Sequence, residues 1–115
     1  MSKGDYLGEF EHLLMLAILR LEDNAYGMAL RRELEARTGR EVSIGAVYAT
    51  LERLEAKGLV QSHDEEPPAE QGGRAKRVYA VSEQGGEALG HTHQALGNMM
   101  EGLALPGKKW KAGNV

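Results

Sequence analysis

Small side chains alternate with cations and hydroxyl groups between positions 43 and 82, a combination suited to binding a nucleic acid. Glycine and alanine let a backbone approach another surface closely, while a guanidinium or hydroxyl group can hydrogen-bond to base edges in a groove. The cations near position 75 follow paired glycines, where they suit contact with phosphates. An ordinary surface helix is an equally good interpretation of residues 43–56 alone. The candidate contact residues are Ser43, Gly45, Ala46, Ala49, Thr50, Arg53, Arg74 and Lys76.

A helix must position the first six of these residues. Ser43 is a favourable N-cap, and Gly58 supplies the left-handed position that ends a helix. Between them, apolar residues recur at three- and four-residue spacings, which predicts a buried face formed by Ile44, Val47, Leu51 and Leu54. The opposite face is then free, and we place Thr50 and Arg53 on it together with the small residues.

A β-hairpin must position the remaining cations. Two β-prone runs, residues 59–63 and 77–81, are separated by two prolines and a pair of glycines that stop either strand from continuing. The returning side of this connection concentrates positive charge in Arg74, Lys76 and Arg77. A basic hairpin tip beside a groove-sized helix predicts phosphate contact.

Two more helices are predicted upstream. Residues 5–21 are apolar over more than one face, so this helix is expected to be covered on two sides. Asp23 and Asn24 are expected to break it and to cap a second helix that runs from about Ala25 to Thr38. Gly39 then ends the second helix four residues before the Ser43 cap, the spacing of a helix-turn-helix.

The last predicted helix, within residues 82–105, has a heptad-like apolar seam. Its members alternate at four- and three-residue steps: Leu89, His93, Leu96, Met100 and Leu103. The segment also holds several glycines, each costing about 1 kcal/mol of helix propensity relative to alanine. It therefore either frays or is stabilised by a partner surface, for which the surplus apolar face of the first helix is the natural candidate. Residues 106–115 form a basic tail without periodicity and are expected to be disordered.

Composition limits the class of protein. At 115 residues and 42% hydrophobic content, the chain suits one domain with an appended helix. It has no apolar run long enough to span a bilayer, and its acidic start does not resemble a secretory or transit peptide, so a cytoplasmic location is expected. A net charge of −3 argues against indiscriminate coating of nucleic acid, but not against specific binding.

Catalytic and metal-binding chemistry has little support in the sequence. There is no cysteine, and His91 and His93 are two residues apart on a helix, so they point to different faces. No nucleophile or phosphate-loop context is recognisable, and we predict neither an enzyme nor a cofactor. Tyr26, Tyr48 and Tyr79 adjoin apolar positions and are expected to be core or half-buried aromatic residues.

Three segments resemble the PadR-type transcriptional regulators: YGMAL near Tyr26, IGAVYATLERLEAKGLV, and GGRAKRVYAVSEQG. The resemblance covers nearly the whole chain, and its most specific part runs from Val47 to Leu59 and continues at Gly73, Arg74 and Tyr79. The sequence departs from the family pattern at Ala49, where proline is frequent, and at Ser82, where threonine is usual. Alanine is the better helix former and serine an equally capable cap. One helix after the hairpin places the chain with the short members of the family.

The resemblance implies a mostly α, α+β winged helix-turn-helix domain over residues 1–81 and a C-terminal dimerisation helix over residues 82–105. It also implies a homodimeric repressor that binds double-stranded DNA. Two copies related by a two-fold axis then predict a pseudo-palindromic operator. A small aromatic or cytotoxic ligand at the dimer interface, with Trp110 folding over it, is a further implication, and the alternative is a packed interface with a loose tail. The alternative is a winged-helix module that binds another protein. Acidic net charge favours this alternative slightly, whereas Arg53, the hairpin cations and the resemblance favour DNA.

Overall fold

Three helices and a β-hairpin form the body of the protein, and a further helix follows the hairpin. The computed structural model describes residues 7–66 and 76–107. Within them the elements are α1 (Glu9–Leu21), α2 (Gly27–Thr38), α3 (Ile44–Ala56), β1 (Val60–Glu65), β2 (Lys76–Val81) and α4 (Glu83–Met100), with a 3-10 turn, Glu22–Asn24, between α1 and α2. This is the mostly helical winged-helix architecture that the sequence predicts. None of the described helices is long and apolar enough to cross a membrane.

A single apolar core joins α1, α2 and α3 to the first strand. Its largest fully buried side chains are Leu14, Met15, Ile18, Leu30, Val47, Leu51, Leu54 and Val60. Burying one such side chain contributes roughly 1.5 to 3 kcal/mol. Because three of these residues lie on α3, that helix is fixed in rotation and its opposite face is turned outward.

The turn between α2 and α3 has the geometry expected of a helix-turn-helix. Gly39 ends α2 in the left-handed conformation, with φ of 73°, and its N–H donates to the Glu35 carbonyl at 3.0 Å. The buried Val42 donates its N–H to the Glu35 carboxylate at 3.0 Å. Ser43 caps α3, because its Oγ accepts the Ala46 N–H at 3.0 Å. Both the glycine stop and the serine cap are as predicted.

The beginning of α2 differs from the prediction. Asp23 and Asn24 do not cap this helix but lie in the 3-10 turn, and the N-cap is Tyr26, whose side chain makes no capping hydrogen bond. Tyr26 has extended backbone and forms an antiparallel bridge with Val78 of β2. The carbonyl of the adjacent Ala25 also accepts a backbone hydrogen bond from β2 at 2.9 Å. Pairing with the hairpin therefore delays α2 to Gly27.

The hairpin is longer than predicted. In its antiparallel register Val60 lies opposite Val81, and Glu65 lies opposite Lys76. The first strand continues two residues beyond the predicted end at position 63. Oppositely charged side chains across the two strands account for this extension, since Arg77 Nε lies 3.2 Å from Asp64 Oδ1.

The first half of α4 packs against its own domain. Ser82 caps the helix by accepting the Gly85 N–H at 3.0 Å, and its hydroxyl donates to the Gly58 carbonyl at 2.7 Å. The buried Thr92 accepts the N–H of Leu7, just before α1, at 3.1 Å. This half of α4 is therefore part of the monomer core.

This packing changes the predicted seam. Leu89 is only 7% exposed and belongs to the core of its own chain, so its side chain is not available to a partner. The helix ends at Met100 rather than near residue 105, and Leu103 lies beyond it after the left-handed Gly102. His93 is exposed. The partial burial of His12 on α1, together with the nearby charge of His93, lowers the pKa of His12. Residues 108–115 of the predicted tail, including Trp110, lie outside the described part.

Candidate nucleic-acid interface

The outward face of α3 consists mainly of small side chains. Gly45, Ala46 and Ala49 are exposed there, and the exposed Ser43 stands at the N-terminus of the helix. The Cβ that a side chain at Gly45 would add meets no atom within 4 Å, so the space beside the helix is open. The structure thus gathers the predicted small residues on one accessible surface, which we call the α3 face.

Thr50 does not belong to the α3 face, so its predicted placement on the free face of the helix is wrong. The residue is 3% exposed. It follows Val47 by three positions and precedes Leu54 by four, the helical spacing that assigns a residue to the core side. Its hydroxyl accepts a hydrogen bond from Arg53 Nη2 at 3.3 Å. Thr50 therefore contacts the candidate base-reading residue instead of the solvent.

Arg53 stands at the edge of the α3 face, next to a carboxylate that the sequence did not single out. Its side chain is 57% exposed, and its Nε lies 4.0 Å from Glu11 Oε2 on α1. The same carboxylate oxygen accepts from Lys57 Nζ at 2.9 Å. Glu11 Oε1 accepts the Gly8 N–H at 3.1 Å. The buried Glu11 therefore pairs with Arg53 of α3 and with Lys57, the C-cap residue of α3, and links the first helix to the third.

The environment of Glu11 favours its ionised form. Burial alone would raise the pKa of Glu11, but the hydrogen bonds from Lys57 and Gly8 and the charges of Lys57 and Arg53 lower it below its ordinary value. The sequence contained a signal for this residue: Glu11 shares the helical spacing of Leu14, Met15 and Ile18, so a charge falls on a core-facing position. A buried charge requires partners, and α3 supplies them.

Replacing Glu11 by glutamine should make the protein less stable in a pH-dependent way. We expect a loss of about 1 to 3 kcal/mol at neutral pH, since charge-assisted hydrogen bonds are replaced by weaker ones. The contribution of Glu11 is complete above the pKa of an unfolded glutamate and is lost as the pH falls through the lower folded-state pKa. Denaturant unfolding at pH 7 and at about pH 3 should therefore give a smaller difference between parent and variant in acid.

Glu9→Gln is the matched control, because Glu9 lies on the same helix as Glu11 but makes an exposed ion pair, with Arg40 of the turn between α2 and α3. Such pairs contribute roughly 0 to 1 kcal/mol. If Glu11→Gln and Glu9→Gln had equal, small effects at both pH values, the link between α1 and α3 would not be stabilising.

The three tyrosines predicted to be structural differ in exposure. Tyr48 is exposed rather than in the core, and its hydroxyl lies so close to Gly27 that a Cβ atom there would collide with it. Glycine at the first residue of α2 therefore permits this ring to pack across the start of the helix. Tyr26 is half-buried and Tyr79 is buried, in agreement with the structural role predicted for them.

The hairpin presents one of its predicted cations next to an aromatic ring. Lys76 Nζ lies 4.4 Å from the centroid of the Tyr26 ring, a cation–π contact at the loop end of the paired strands, where Lys76 lies opposite Glu65. Arg77 is paired with Asp64, which offsets its charge. Arg74 lies outside the described residues. Of the predicted phosphate contacts, Lys76 is thus the one the structure positions.

A metal site has no support within residues 7–66 and 76–107. No group of three His, Asp or Glu side chains in this part of the chain could hold an ion. The α3 face instead combines the Arg53 guanidinium and the Ser43 hydroxyl with small apolar groups and the Glu52 carboxylate, which suit recognition by hydrogen bonding and close approach.

Three helices with a helix-turn-helix, followed by a two-stranded antiparallel hairpin, are the architecture of winged-helix domains. Residues 15–91 match the transcriptional regulator PadR-like family, and the chain belongs to this family of DNA-binding regulators. It is similar to the transcriptional regulator Rv3488 of Mycobacterium tuberculosis, with 38% identity over 93 residues, or 81% of each chain. The resemblance read from the sequence is confirmed.

Solved structures support the same assignment. RosR of H. salinarum, in a complex designated hsRosR-S4, is 27% identical with a TM-score of 0.61, over 85% of this chain and 77% of that one. A PadR-like transcription factor from Bacteroides fragilis has a TM-score of 0.65 at 22% identity, over 80% of this chain and 84% of the other. The second likeness concerns the fold alone.

Proposed function

We propose that this protein is a homodimeric repressor that recognises a pseudo-palindromic site in double-stranded DNA. In this proposal α3 of each subunit enters the major groove and the hairpin contacts the DNA backbone. The observation that carries the proposal is the α3 face, where Arg53 projects beside Gly45, Ala46 and Ala49. Membership of a family of transcriptional regulators supports it.

The α3 face has the chemistry of direct base recognition. An arginine can donate two hydrogen bonds to guanine O6 and N7, and alanine methyl groups can contact the methyl group of thymine. Glu52 is exposed on the same helix, and a carboxylate can accept from the amino group of cytosine. The absence of side chains beyond Cβ at positions 45, 46 and 49 allows the helix backbone to approach the groove.

We propose that the hairpin contacts phosphates through Arg74 and Lys76. Lys76→Ala should weaken binding to all duplexes by a similar factor and reduce the log–log salt slope by about 0.9 for one lost phosphate contact. Arg74→Ala should behave in the same way. The measurement is fluorescence anisotropy with several duplex sequences over a range of salt concentrations.

Arg77→Ala is a suitable control for the hairpin, since it removes a neighbouring cation that is already paired with Asp64. Its effect on the salt slope should be smaller than that of Lys76→Ala. A change in sequence preference without a change in slope would mean that Lys76 reads bases, which would contradict the phosphate assignment.

Dimerisation is proposed through the end of α4 and the outer side of α1. Leu96 is 57% exposed, Met99 76% and Leu103 62%, and Leu16 and Leu19 of α1 are also exposed. Exposed apolar side chains in this number favour burial against another surface. A second copy is the proposed partner, because one recognition helix and a few phosphate contacts are too little for tight specific binding by an acidic chain.

The proposed location is the cytoplasm, where a regulator of this kind meets its DNA. A response to small aromatic or cytotoxic compounds stays an expectation from the family resemblance. Trp110, the residue assigned to that response, lies outside the described residues, so the proposal includes no ligand site.

A second candidate function, binding of another protein instead of DNA, is favoured by the acidic residues near the α3 face. Glu52 lies on that helix, and Asp64, Glu65 and Glu66 are exposed at the end of β1. Titration with duplex DNA at increasing salt separates the two functions. Log affinity for DNA should fall linearly with log salt concentration if phosphates are contacted, whereas the protein-binding function predicts no such DNA complex.

A further inference from the structure

Arg53 makes one hydrogen bond and one ion pair with groups that are largely buried. Its Nη2 donates to Thr50 Oγ1 at 3.3 Å, and its Nε lies 4.0 Å from Glu11 Oε2. Thr50 and Glu11 are both buried residues, located on α3 and α1 respectively. More than half of the Arg53 side chain is nevertheless exposed.

These two contacts restrict the orientation of the guanidinium. A guanidinium is planar and has donors on fixed edges, so the hydrogen bond from Nη2 to Thr50 limits its rotation. The Glu11 carboxylate, 4.0 Å from Nε, adds electrostatic attraction from a second side without a hydrogen bond. Nη1 and the second hydrogen of Nη2 have no role in these two contacts. Bidentate recognition of a guanine depends on the placement of such a planar fork.

We propose that Thr50 and Glu11 are positioning residues, which hold the Arg53 guanidinium in the orientation that reads a base pair. This inference rests on the proposed function, in which Arg53 enters the groove. Thr50 touches no DNA in this arrangement and acts through Arg53. Glu11 acts in the same way and connects the orientation of Arg53 to α1.

The hydroxyl group distinguishes Thr50 from an ordinary core residue, because it is the atom that contacts Arg53. Thr50 lies on the core side between Val47 and Leu54, where valine would have the same shape and no polar atom to satisfy. The hydroxyl group is therefore the feature to test. Thr50→Val removes it and keeps the shape, whereas Thr50→Ser keeps the hydroxyl and removes the methyl group.

The experiment measures discrimination between a selected operator and the same operator with one base pair changed. The changed position is the one at which Arg53→Ala relaxes preference. Thr50→Val should lower this discrimination by about 2- to 10-fold, the usual effect of one hydrogen bond, without altering the salt slope. Thr50→Ser should retain the parent's discrimination, and thermal unfolding should show that both variants are folded.

A double-mutant cycle separates positioning from packing. In an Arg53→Ala background, Thr50→Val should have no further effect on discrimination, because Thr50 is proposed to act only by orienting the Arg53 side chain. An effect of equal size with and without Arg53 would overturn the inference, and so would unchanged discrimination in Thr50→Val. If Arg53→Ala itself left the preference at every position unchanged, the proposed function of Arg53 would be the part that fails.

Glu11→Gln provides a second test on another helix. It should lower discrimination at the same base pair, again only when Arg53 is present. Glu9→Gln, the exposed neighbour on α1, should leave discrimination unchanged. A loss of affinity in Glu11→Gln that is equal for all sequences would contradict a positioning role for Glu11.

Discussion

Leu96→Asp should convert the protein to a monomer and lower its affinity for the full operator by about 100-fold or more, since each site is then held by one recognition helix. Leu96 is 57% exposed in the single chain, so the substitution buries no charge within a subunit and should leave the fold intact. In the dimer it would place two carboxylates against apolar side chains, at a cost of several kcal/mol. Sedimentation and operator binding should be measured on the same sample.

Gln94→Asp is the matched control for this substitution. It adds the same charge to an exposed position of α4 outside the predicted seam. This variant should stay dimeric and bind the operator as the parent does. A Leu96→Asp protein that remains dimeric would contradict the assigned interface, and a monomer that binds the full operator as tightly as the parent would contradict the need for a dimer.

Arg53→Ala should weaken specific binding by about 1 to 3 kcal/mol and relax preference at one position of each half-site. The reason is the loss of the paired hydrogen bonds that an arginine makes to guanine. Binding to unrelated duplexes should change little. Competition titrations against operators with single base-pair changes would locate the position.

Arg20→Ala controls for the lost charge, because Arg20 is an exposed arginine at the end of α1, outside α3 and the hairpin. Its sequence preference should match that of the parent. If Arg53→Ala had the same affinity and the same sequence preference as the parent, Arg53 would not read a base in the groove.

The end of α2 and the starts of α3 and α4 were predictable because they depend on short-range chemistry. Gly39 in the left-handed conformation and the serine caps at Ser43 and Ser82 are determined by residue type and immediate neighbours. These three signals locate the helix-turn-helix and the start of α4. Together with the apolar spacing they predict the order of the helices and the hairpin.

Errors arose where an element depends on distant contacts. The delayed start of α2 follows from pairing of Tyr26 with Val78, two residues far apart in sequence. The burial of Leu89 likewise depends on how α4 packs on its own domain. Neither arrangement can be read from the spacing of residues within one segment.

The residues of the candidate interface were predictable, but the buried side chains that contact Arg53 were not. The small residues of α3 are exposed as expected, because the apolar spacing identifies the opposite face. Thr50 was misplaced, although its distance from Val47 and Leu54 already assigns it to the core side. The contact of Glu11 with Arg53 joins residues far apart in sequence, so only the tertiary structure reveals it.

Selection of duplexes from a random pool by the intact protein, followed by titration of the selected site over a range of salt concentrations, tests the central claim most directly. The account predicts enrichment of a pseudo-palindrome whose half-sites are about 34 Å or a multiple of it apart, with affinity that falls linearly on a log–log salt scale. A pool that yields no enriched sequence, or binding that does not respond to salt, would contradict it.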